Sequence, residues 1–413
     1  MNWLSWTFVA ALTAETAVRL WLSSRQIAAV RAHRDRVPEV FEGQIAPADQ
    51  RMAADYTIAR GRLGRWATVA EACIKLAFTV GGGLAVIEGL LRPVGWPEPW
   101  HGCLVVLAVL LLLQAFGLPF ALWRTFGIEA RFGFNRMTPW LFVLDGAKQL
   151  LLGLAIGAPL IGATLVLMER AGSRWWIWAW LVWLCATVSL TWAAPRFIAP
   201  LFNRFNAITD AALKGRVEAL LSRCGFTAGG GVFVMDGSRR SAHGNAYFTG
   251  IGRNKRIVFF DTLLARIDLD EIEAVLAHEL GHFRLHHVRQ RLVSSVVGAL
   301  IGFALLGLLA RQPHFYAAFG VTAAAPMALL LFAFVVPPFM FFGTPIASWW
   351  SRRQELAADD FAVRHSNAAA LVTALVKLYR DNATTLTPDR VHSAFYDSHP
   401  PAVERITRLT HPA

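Results

Sequence analysis

The chain contains apolar runs long enough to cross a lipid bilayer, and this feature limits its fold more than any other. Charged residues make up only 16% of the 413 residues, and there are 16 Trp and 28 Phe. A helix needs roughly 20 apolar residues to span the hydrocarbon core. We therefore predict a mostly α, integral-membrane protein with seven spans, at about 3–22, 67–91, 103–123, 146–168, 175–193, 292–310 and 326–347.

Arginine is distributed unevenly among the loops that join these runs. The connector after the first run carries eight arginines between Arg25 and Arg65, and the connector after the third carries Arg124, Arg131 and Arg136. The connectors after the second, fourth and sixth runs hold only four arginines together. Because cytoplasmic loops carry the excess of Lys and Arg, the N-terminus is predicted outside and the C-terminus in the cytoplasm.

Two long polar segments, at about 194–291 and 348–413, both fall on the cytoplasmic side in this topology. They can therefore build one domain from two parts of the chain. We predict an N-terminal membrane domain with five spans, residues 1–200, and a second domain, residues 201–413, interrupted by the last two spans. The net charge of +12 fits the cytoplasmic side of a membrane protein. No nucleic-acid motif accompanies that charge, so nucleic acid is not an expected partner.

Charged residues inside the predicted spans require partners or water, because charge at membrane depth is costly. Glu15 and Arg19 are four residues apart, as are Glu71 and Lys75, so each pair shares one helix face. Two interpretations remain open at this point. The residues either form structural ion pairs near the interface or line a water-filled internal space.

The segment EAVLAHELGHFRLHHV, residues 273–288, holds four of the 12 histidines in the chain. His278 and His282 lie on one face of a predicted helix, and this spacing lets two imidazoles bind one Zn²⁺ at about 2.0–2.1 Å. Glu279, next to the first histidine, can act as general base on the attacking water. The segment therefore has the HExxH pattern of zinc peptidases.

The same helix is predicted to begin with a capping box of Asp268 and Glu271 and to continue through His286 and His287. A straight helix would carry His286 one turn, about 5.4 Å, beyond the two candidate ligands. We therefore interpret His286 and His287 as polar residues at the junction with the sixth span, and not as ligands.

A third metal ligand is expected elsewhere, because catalytic zinc usually has three protein ligands and one open position. The HExxHxxGxxH pattern is excluded, since Leu285 and Val288 occupy the places of its Gly and third His. The favoured candidate lies in SRRQELAADDFAV, residues 351–363, where Glu355 and Asp359 share a helix face. We predict that Glu355 binds the metal and that Asp359 fixes the tautomer of a ligating imidazole.

Two further segments are candidates for contact with a substrate. GNAYFTGIGRNKRIVFFD, residues 244–261, is predicted to form two strands, Tyr247–Ile251 and Arg256–Phe260, around a turn that contains glycine. An exposed strand beside an active helix can bind extended peptide, although an ordinary hairpin explains the strands equally well. His399 precedes two prolines that fix a rigid turn, and the spacing alone gives this lone loop histidine no function.

These motifs, in this order, resemble those of the type I CAAX prenyl endopeptidases and their bacterial relatives, which are integral-membrane HExxH zinc metalloproteases. The related heat-shock membrane proteases share the zinc motif but have fewer spans, so they fit less well. The resemblance covers nearly the whole chain and rests on FGIEARFGFNRMTP at 126–139, HGNAYFTG at 243–250, HELGH at 278–282, SRRQELAAD at 351–359 and SHPPAVERI at 398–406.

The resemblance implies a ring of seven transmembrane helices that encloses a large chamber. A gluzincin-like α+β zinc peptidase domain would cap this ring on the cytoplasmic side. The implied site residues are the zinc ligands His278, His282 and Glu355, the catalytic base Glu279, a catalytic or proton-donor Asp359, a stabiliser of the tetrahedral intermediate at His399, and Asn245 and Tyr247 in the substrate-binding strand.

We therefore predict a membrane-embedded zinc metalloendopeptidase that binds one Zn²⁺ per chain and hydrolyses peptide bonds near the cytoplasmic membrane face. Its activity would resemble CAAX-type C-terminal processing, and its partners would be the lipid bilayer and a peptide or protein substrate, including a membrane-anchored one.

One alternative is a protease of membrane-protein quality control. Another is a transporter or scaffold with a structural zinc site, which would normally have four protein ligands. The Ala- and Arg-rich composition indicates a bacterial inner membrane, where prenylated CAAX substrates are mostly absent.

Overall fold

The chain is mostly helical in a computed structural model that describes residues 2–226, 231–249 and 256–411. Its strands are β1 Phe205–Ala207, β2 Val232–Met235, β3 Ala246–Thr249 and β4 Arg256–Phe260. Its helices are α1 Trp3–Ala32, α2 Pro47–Phe78, α3 Gly83–Leu91, α4 Trp100–Leu122, α5 Pro139–Arg170, α6 Trp175–Ala193, α7 Ala199–Phe202, α8 Ala211–Arg223, α9 Asp261–Leu264, α10 Leu269–Arg284, α11 His287–Leu309, α12 Pro313–Ala317, α13 Ala325–Val335, α14 Pro337–Met340, α15 Thr344–His365, α16 Ala368–Asp381, α17 Arg390–Tyr396 and α18 Ala402–Thr410.

Five helical segments among the described residues are long and apolar enough to cross a membrane, and they match the third to seventh predicted spans. The first predicted span lies in α1, which is long enough but less apolar because it carries Glu15 and Arg19. The second corresponds to α2 and α3, which together would form a sixth crossing. The five apolar segments are Trp100–Glu129, Pro139–Arg170, Gly172–Phe202, His287–Leu309 and Ala325–His365.

The second predicted span is bent, because a run of glycines separates α2 from α3. The two helices meet at an angle of 59°. Gly82 has a φ of +77°, in the left-handed region that favours glycine, and a Cβ on Gly81 would lie 2.7 Å from the carbonyl oxygen of Ala77. The glycines therefore permit a sharp turn that hydropathy alone does not predict.

The two charged pairs predicted inside the spans form one network between α1 and α2. Arg19 lies 2.6 Å from Glu15, and Lys75 lies 2.7 Å from Glu71. Arg19 also reaches Glu71, at 3.1 Å, which joins the two pairs. Glu15 is almost fully buried. The pairing part of the prediction therefore agrees with the structure.

The four strands β1 to β4 form one sheet, in the order β1-β2-β4-β3. β2 and β4 run parallel, and the other two pairs are antiparallel. The predicted pairing of the β3 and β4 segments agrees with the structure, with Ala246 opposite Phe259. The predicted strand end at Ile251 and the turn after it lie outside the described residues. In the part of the chain that the structure describes, β3 has one sheet neighbour and is therefore an edge strand.

Helix α10, which carries the HExxH pattern, is embedded between the sheet and α15. The predicted capping box is present, since the Asp268 carboxylate accepts from the Glu271 amide and the Glu271 carboxylate accepts from the Asp268 amide, each at 2.9 Å. Leu276 and Leu280 belong to the same buried core as Phe259 of β4. This packing fixes the rotation of α10 about its axis and therefore the direction in which its histidines point.

The glycine of HELGH allows α10 and α15 to approach closely. A Cβ on Gly281 would lie 3.1 Å from the Cα of Ala358 and from the Cβ of Phe361. Such contacts are tighter than nine in ten real Cβ contacts, so a larger residue would push the helices apart by a few tenths of an ångström. Gly281 therefore helps to bring α10 and the Glu355 segment of α15 within contact distance.

The prediction that one helix continues through His286 and His287 is wrong. α10 ends at Arg284, and α11 begins at His287. His286 adopts a φ of 61°, in the left-handed region, and therefore breaks the helix. The break changes the direction of the chain, so His287 does not continue the face of α10. The His287 side chain therefore points in a different direction relative to His282 than it would in a straight helix.

Candidate metal centre

Three donor groups from two helices converge on one point. His278 and His282 come from successive turns of α10, and Glu355 comes from α15. The two Nε2 atoms lie 3.3 Å apart, and the Glu355 carboxylate oxygens lie 3.3 Å from His278 Nε2 and 3.4 Å from His282 Nε2. Within the described residues, these three side chains form the group of potential metal ligands whose donor atoms, one from each residue, all lie within 4.8 Å of one another.

The spacing of these donor atoms fits a tetrahedral zinc ion. Two ligand atoms at about 2.0–2.1 Å from one ion, separated by the tetrahedral angle, lie about 3.3–3.4 Å apart. All three observed separations fall in that range. Two imidazoles and a carboxylate are also a donor set that zinc accepts in hydrolytic sites. The residues therefore fit the metal that the sequence predicts.

Asp359 lies behind His278, on the side away from the other donors. Its Oδ1 is 2.8 Å from His278 Nδ1, so the imidazole presents Nε2 to the metal position. Burial disfavours the charged imidazolium, but hydrogen bonds to Asp359 and Glu355 outweigh it and raise the pKa of His278 to about 9. The contact that Asp359 was predicted to make with a ligating imidazole is therefore present.

Arg405 holds Asp359 in place, and sequence reasoning missed it. Its guanidinium binds both carboxylate oxygens of Asp359, at 2.6 and 2.7 Å, and only 5% of the residue is exposed. A signal was present in the sequence, because Arg405 shares the buried face of α18 with Ala402, Ile406 and Leu409. An arginine on such an apolar face requires a buried acidic partner.

His287 lies behind His282, which the sequence interpretation did not foresee. The two Nδ1 atoms are 3.0 Å apart, and His287 is buried. His287 lies at the junction with the sixth span, as predicted, because α11 begins there, and the helix break at His286 directs its buried ring toward His282. His286 itself is exposed.

Glu279 lies on α10 between the two histidines and is partly buried. It lines both cavities that flank the donor group. Burial raises the pKa of its carboxyl group above the usual value. A carboxylate with a raised pKa is suited to accept and return a proton.

His399 also reaches this centre, through the turn between α17 and α18. Its Nδ1 lies 2.7 Å from Oε2 of Glu355, and its side chain is 60% exposed. His399 therefore lies on the solvent-facing side of the donors, whereas Asp359 lies on the buried side. It lines both cavities beside Glu279.

The two predicted substrate-binding residues lie at the start of β3 but differ in environment. Asn245 is exposed, lines the cavity beside His278, and caps the amide of Ala246 at 2.9 Å. Tyr247 lines the second cavity, but its ring packs edge-on against Phe260, with centroids 6.1 Å apart. Burial raises the pKa of the Tyr247 hydroxyl. Tyr247 thus contributes to the packing of the sheet as well as to the cavity.

Apolar helices long enough to span a bilayer, an HExxH helix and a carboxylate from a second helix define the class of the protein. It is an integral, multi-pass membrane metallopeptidase. Residues 26–204 match the family described as CAAX prenyl protease N-terminal, with five membrane helices, and residues 207–413 match peptidase family M48. The chain belongs to peptidase family M48, as its motifs predicted.

Relatives of known identity extend over most of the chain. A CAAX prenyl protease 1 homolog of Arabidopsis thaliana is 36% identical over 314 residues, which cover 76% of this chain and 74% of the relative. The homolog of Homo sapiens is 32% identical over 347 residues, which cover 74% of this chain and 73% of the relative. The crystal structure of S. mikatae Ste24p superposes with a TM-score of 0.91 at 27% identity and covers 99% of both chains. The predicted membrane zinc metalloprotease function is therefore confirmed.

Proposed function

We propose that His278, His282 and Glu355 bind one zinc ion per chain and that this centre hydrolyses peptide bonds near the cytoplasmic membrane face. The observation that carries the proposal is the separation of 3.3–3.4 Å between the two imidazole nitrogens and between each of them and one carboxylate oxygen of Glu355, which fits ligands of one tetrahedral ion. Three protein donors leave a fourth position free for chemistry, unlike the four ligands of a structural site.

In the proposed mechanism, Glu279 transfers the proton. When bound, zinc would supply Lewis-acid polarisation of the scissile carbonyl. Glu279 takes a proton from the attacking water as the water oxygen adds to the carbonyl carbon. The same carboxyl group then gives the proton to the amine nitrogen as the C–N bond breaks, so Glu279 returns to its starting state.

Asp359 and His399 have different tasks in this mechanism. Both carboxylate oxygens of Asp359 are engaged by His278 and Arg405, so we assign it to positioning rather than to the proton donation implied by the resemblance. His399 is exposed on the open side of the donors and can donate a ring N–H to the carbonyl oxygen as negative charge develops there.

We assign peptide binding to the free edge of β3, with Tyr247 in that strand and Asn245 immediately before it. An extended peptide that adds to an edge strand gains backbone hydrogen bonds along its length. Both residues line cavities next to His278 and Glu279, so the added peptide would pass the metal position. Because two relatives are named CAAX prenyl protease 1 homologs, we propose processing near the C-terminus of membrane-anchored peptides.

The proposed membrane arrangement has seven spans that enclose a chamber. α1 and the bent pair α2–α3 add two crossings to the five apolar segments, and the charged network of Glu15, Arg19, Glu71 and Lys75 would face the interior. We place the N-terminus outside and the gluzincin-like domain, within residues 201–413, in the cytoplasm of a bacterium, next to the inner membrane. The N-terminal membrane domain would comprise residues 1–200.

Cleavage of defined peptides by the purified protein tests the proposal. The substrates are a farnesylated peptide ending in a CAAX sequence, the same peptide without the lipid, and a membrane-anchored unfolded reporter, with products identified by mass spectrometry. We expect cleavage close to the C-terminus of the first peptide, and loss of nearly all activity in Glu279→Gln with zinc retained. Cleavage of the reporter at many internal sites, with neither peptide cut, would indicate a quality-control protease instead.

A further inference from the structure

Asn382, at the C-terminal end of α16, clamps the backbone just before the edge strand β3. Its Oδ1 accepts a hydrogen bond from the amide of Gly244 at 3.0 Å, and its Nδ2 donates to the carbonyl oxygen of Gly244 at 3.2 Å. One side-chain amide thus pairs with both backbone polar groups of one residue, as a neighbouring strand would. The next residue, Asn245, lines the cavity beside His278, and so does Asn382 itself.

His243 connects this clamp to the membrane helices. Its Nδ1 lies 3.3 Å from Oδ1 of Asn382, and its ring stacks on Phe134 with centroids 4.4 Å apart. On its other side, Nε2 lies 3.6 Å from a carboxylate oxygen of Glu129, at the end of the helix that continues α4. Glu129 in turn accepts a hydrogen bond from the hydroxyl of Tyr56 in α2, at 2.7 Å.

A short backbone ladder holds the same segment from the membrane side. The amide of Ala242 donates to the carbonyl of Phe134 at 3.0 Å, and the amide of Arg136 donates to the carbonyl of Arg240 at 3.1 Å. The side chain of Arg240 also forms a bidentate ion pair with Asp145 of α5, at 2.7 and 3.0 Å. The chain leading into β3 is therefore fixed to two membrane helices.

A small core, separate from the core around α10, surrounds these contacts. It contains Tyr56, Ile128, Phe134, Ala242 and Ala383, each 7% exposed or less. Ala383, which follows Asn382, adopts a φ of 45°, a conformation that non-glycine residues adopt only when their surroundings enforce it. Packing between the membrane helices and the end of α16 therefore determines where the Asn382 side chain points.

We propose that Asn382, supported by His243 and Glu129, is a positioning residue that fixes the substrate-binding edge of β3 and couples it to the membrane helices. An edge strand has hydrogen-bonded support on one side only, so the clamp limits its freedom before a peptide arrives. Without the clamp, each binding event would have to order the strand, which weakens binding more than it slows chemistry. The inference rests on the proposed function, because it assumes that peptide adds to β3.

A matched pair of asparagines on α16 tests this proposal. Asn382→Ala removes the clamp, whereas Asn367→Ala removes the N-cap of the same helix, which also accepts hydrogen bonds from two backbone amides, at 2.9 and 3.3 Å. The two positions stand at opposite ends of a 14-residue helix. Both variants lose local hydrogen bonds, and only the first is expected to affect the site.

For Asn382→Ala, we expect a rise in KM of about 10-fold for the farnesylated CAAX peptide, with kcat within about twofold and zinc content unchanged, since two hydrogen bonds are lost. Hydrogen–deuterium exchange of the peptide-free protein should be faster across Ala246–Thr249. Asn367→Ala should lower the melting temperature and leave KM and that exchange at wild-type values. Equal KM and equal exchange in Asn382→Ala and the wild type would overturn the proposal.

Two milder variants keep the test decisive if Asn382→Ala does not fold. Asn382→Asp keeps the acceptor for Gly244 and loses the donor, and Glu129→Gln keeps an acceptor for Tyr56 and loses the charge facing His243. Each should raise KM by roughly two- to fivefold, and unchanged KM in both would overturn the proposal. Full turnover by Glu279→Gln would refute the proposed function itself. The hydrogen–deuterium exchange measurement needs no catalysis, so it would still decide whether Asn382 holds β3 in place.

Discussion

The Nδ1 atoms of His282 and His287 lie 3.0 Å apart, across the junction between α10 and α11. When Nε2 of His282 binds the metal, as proposed, the ring proton lies on Nδ1 and is donated to the unprotonated Nδ1 of His287. His287 is buried and therefore fixes both the tautomer and the orientation of a proposed zinc ligand. The left-handed residue His286 makes this contact possible between histidines five residues apart.

Replacement of His287 should weaken zinc binding. His287→Ala removes the acceptor for His282 Nδ1, and the loss of such a partner typically lowers metal affinity by about 10–100-fold. Competition with a fluorescent zinc chelator measures the affinity directly. His286→Asn, at the neighbouring exposed residue, is the control and should bind zinc as the wild type does, because asparagine tolerates the left-handed conformation of this position. Equal affinities for the two variants would show that His287 has no influence on the metal.

The candidate ligands were predictable from sequence because each depends on local helical spacing. His278 and His282 are four residues apart, as are Glu355 and Asp359, and periodicity places each pair on one helix face. The roles of His287 and Arg405 were not predictable in the same way. The first depends on a single left-handed residue, and the second on the packing of α18 against α15, which only the folded chain determines.

The buried ion pair of Arg405 and Asp359 should matter far more for stability than its exposed counterpart. Arg408 binds Asp360 at 2.8 Å, between the same two helices, but that pair is largely exposed. Arg405→Met leaves a buried carboxylate without its partner and should destabilise the protein by about 3–5 kcal/mol. Arg408→Met should cost at most about 1 kcal/mol.

Chemical unfolding of both variants in detergent with excess EDTA measures this difference, because zinc then stabilises neither protein. The double variant Asp359→Asn with Arg405→Met should recover part of the stability lost in the single variant, since no unpaired charge remains buried. Equal destabilisation by the Arg405 and Arg408 substitutions would contradict the expectation.

Glu273 should make part of the stability depend on pH. Burial would raise its pKa, but hydrogen bonds from Arg216 and Arg223 of α8 outweigh burial and lower it. A lowered pKa stabilises the folded state above the pKa of the unfolded chain, about 4.3, and this contribution is lost as pH falls through the folded-state pKa. Glu273→Gln should therefore lower the melting temperature at pH 7, by roughly 1–3 °C.

As pH falls from about 4 through the lowered pKa of Glu273, the melting temperatures of the wild type and Glu273→Gln should converge, because protonation of Glu273 removes the same interaction. Glu218→Gln is the control, since Glu218 is exposed and 3.9 Å from its helical neighbour Lys214. It should leave the melting temperature almost unchanged at either pH. A constant difference between the wild type and Glu273→Gln across this range would exclude the ionised pair as its source.

The membrane part of the fold was predictable to the extent that hydropathy determines it. Five apolar runs became apolar helices near the predicted positions, because length and composition suffice for a span. The bend between α2 and α3 was not predicted, since it depends on the left-handed Gly82 and the close contact at Gly81. Hydropathy counts apolar residues and does not register backbone conformation.

His399 can be tested for a role in turnover. Its Nδ1 lies 2.7 Å from Glu355, and its exposed ring can rotate toward the carbonyl oxygen of a bound substrate. If it donates a hydrogen bond as charge develops, His399→Ala should lower kcat by roughly 10²–10³-fold with little change in KM. Zinc content and melting temperature should stay near the wild-type values, because the three proposed ligands are intact.

Two other roles for His399 predict different results for the same variant. If His399 mainly orients Glu355, zinc affinity should fall and added zinc should restore kcat. If it only packs against the Pro400–Pro401 turn, the melting temperature should fall slightly and turnover per folded molecule should be normal. His392→Ala, in α17 of the same segment, controls for general disturbance of the turn. Normal kcat in His399→Ala, measured on a preparation with full zinc content, would rule out the oxyanion role.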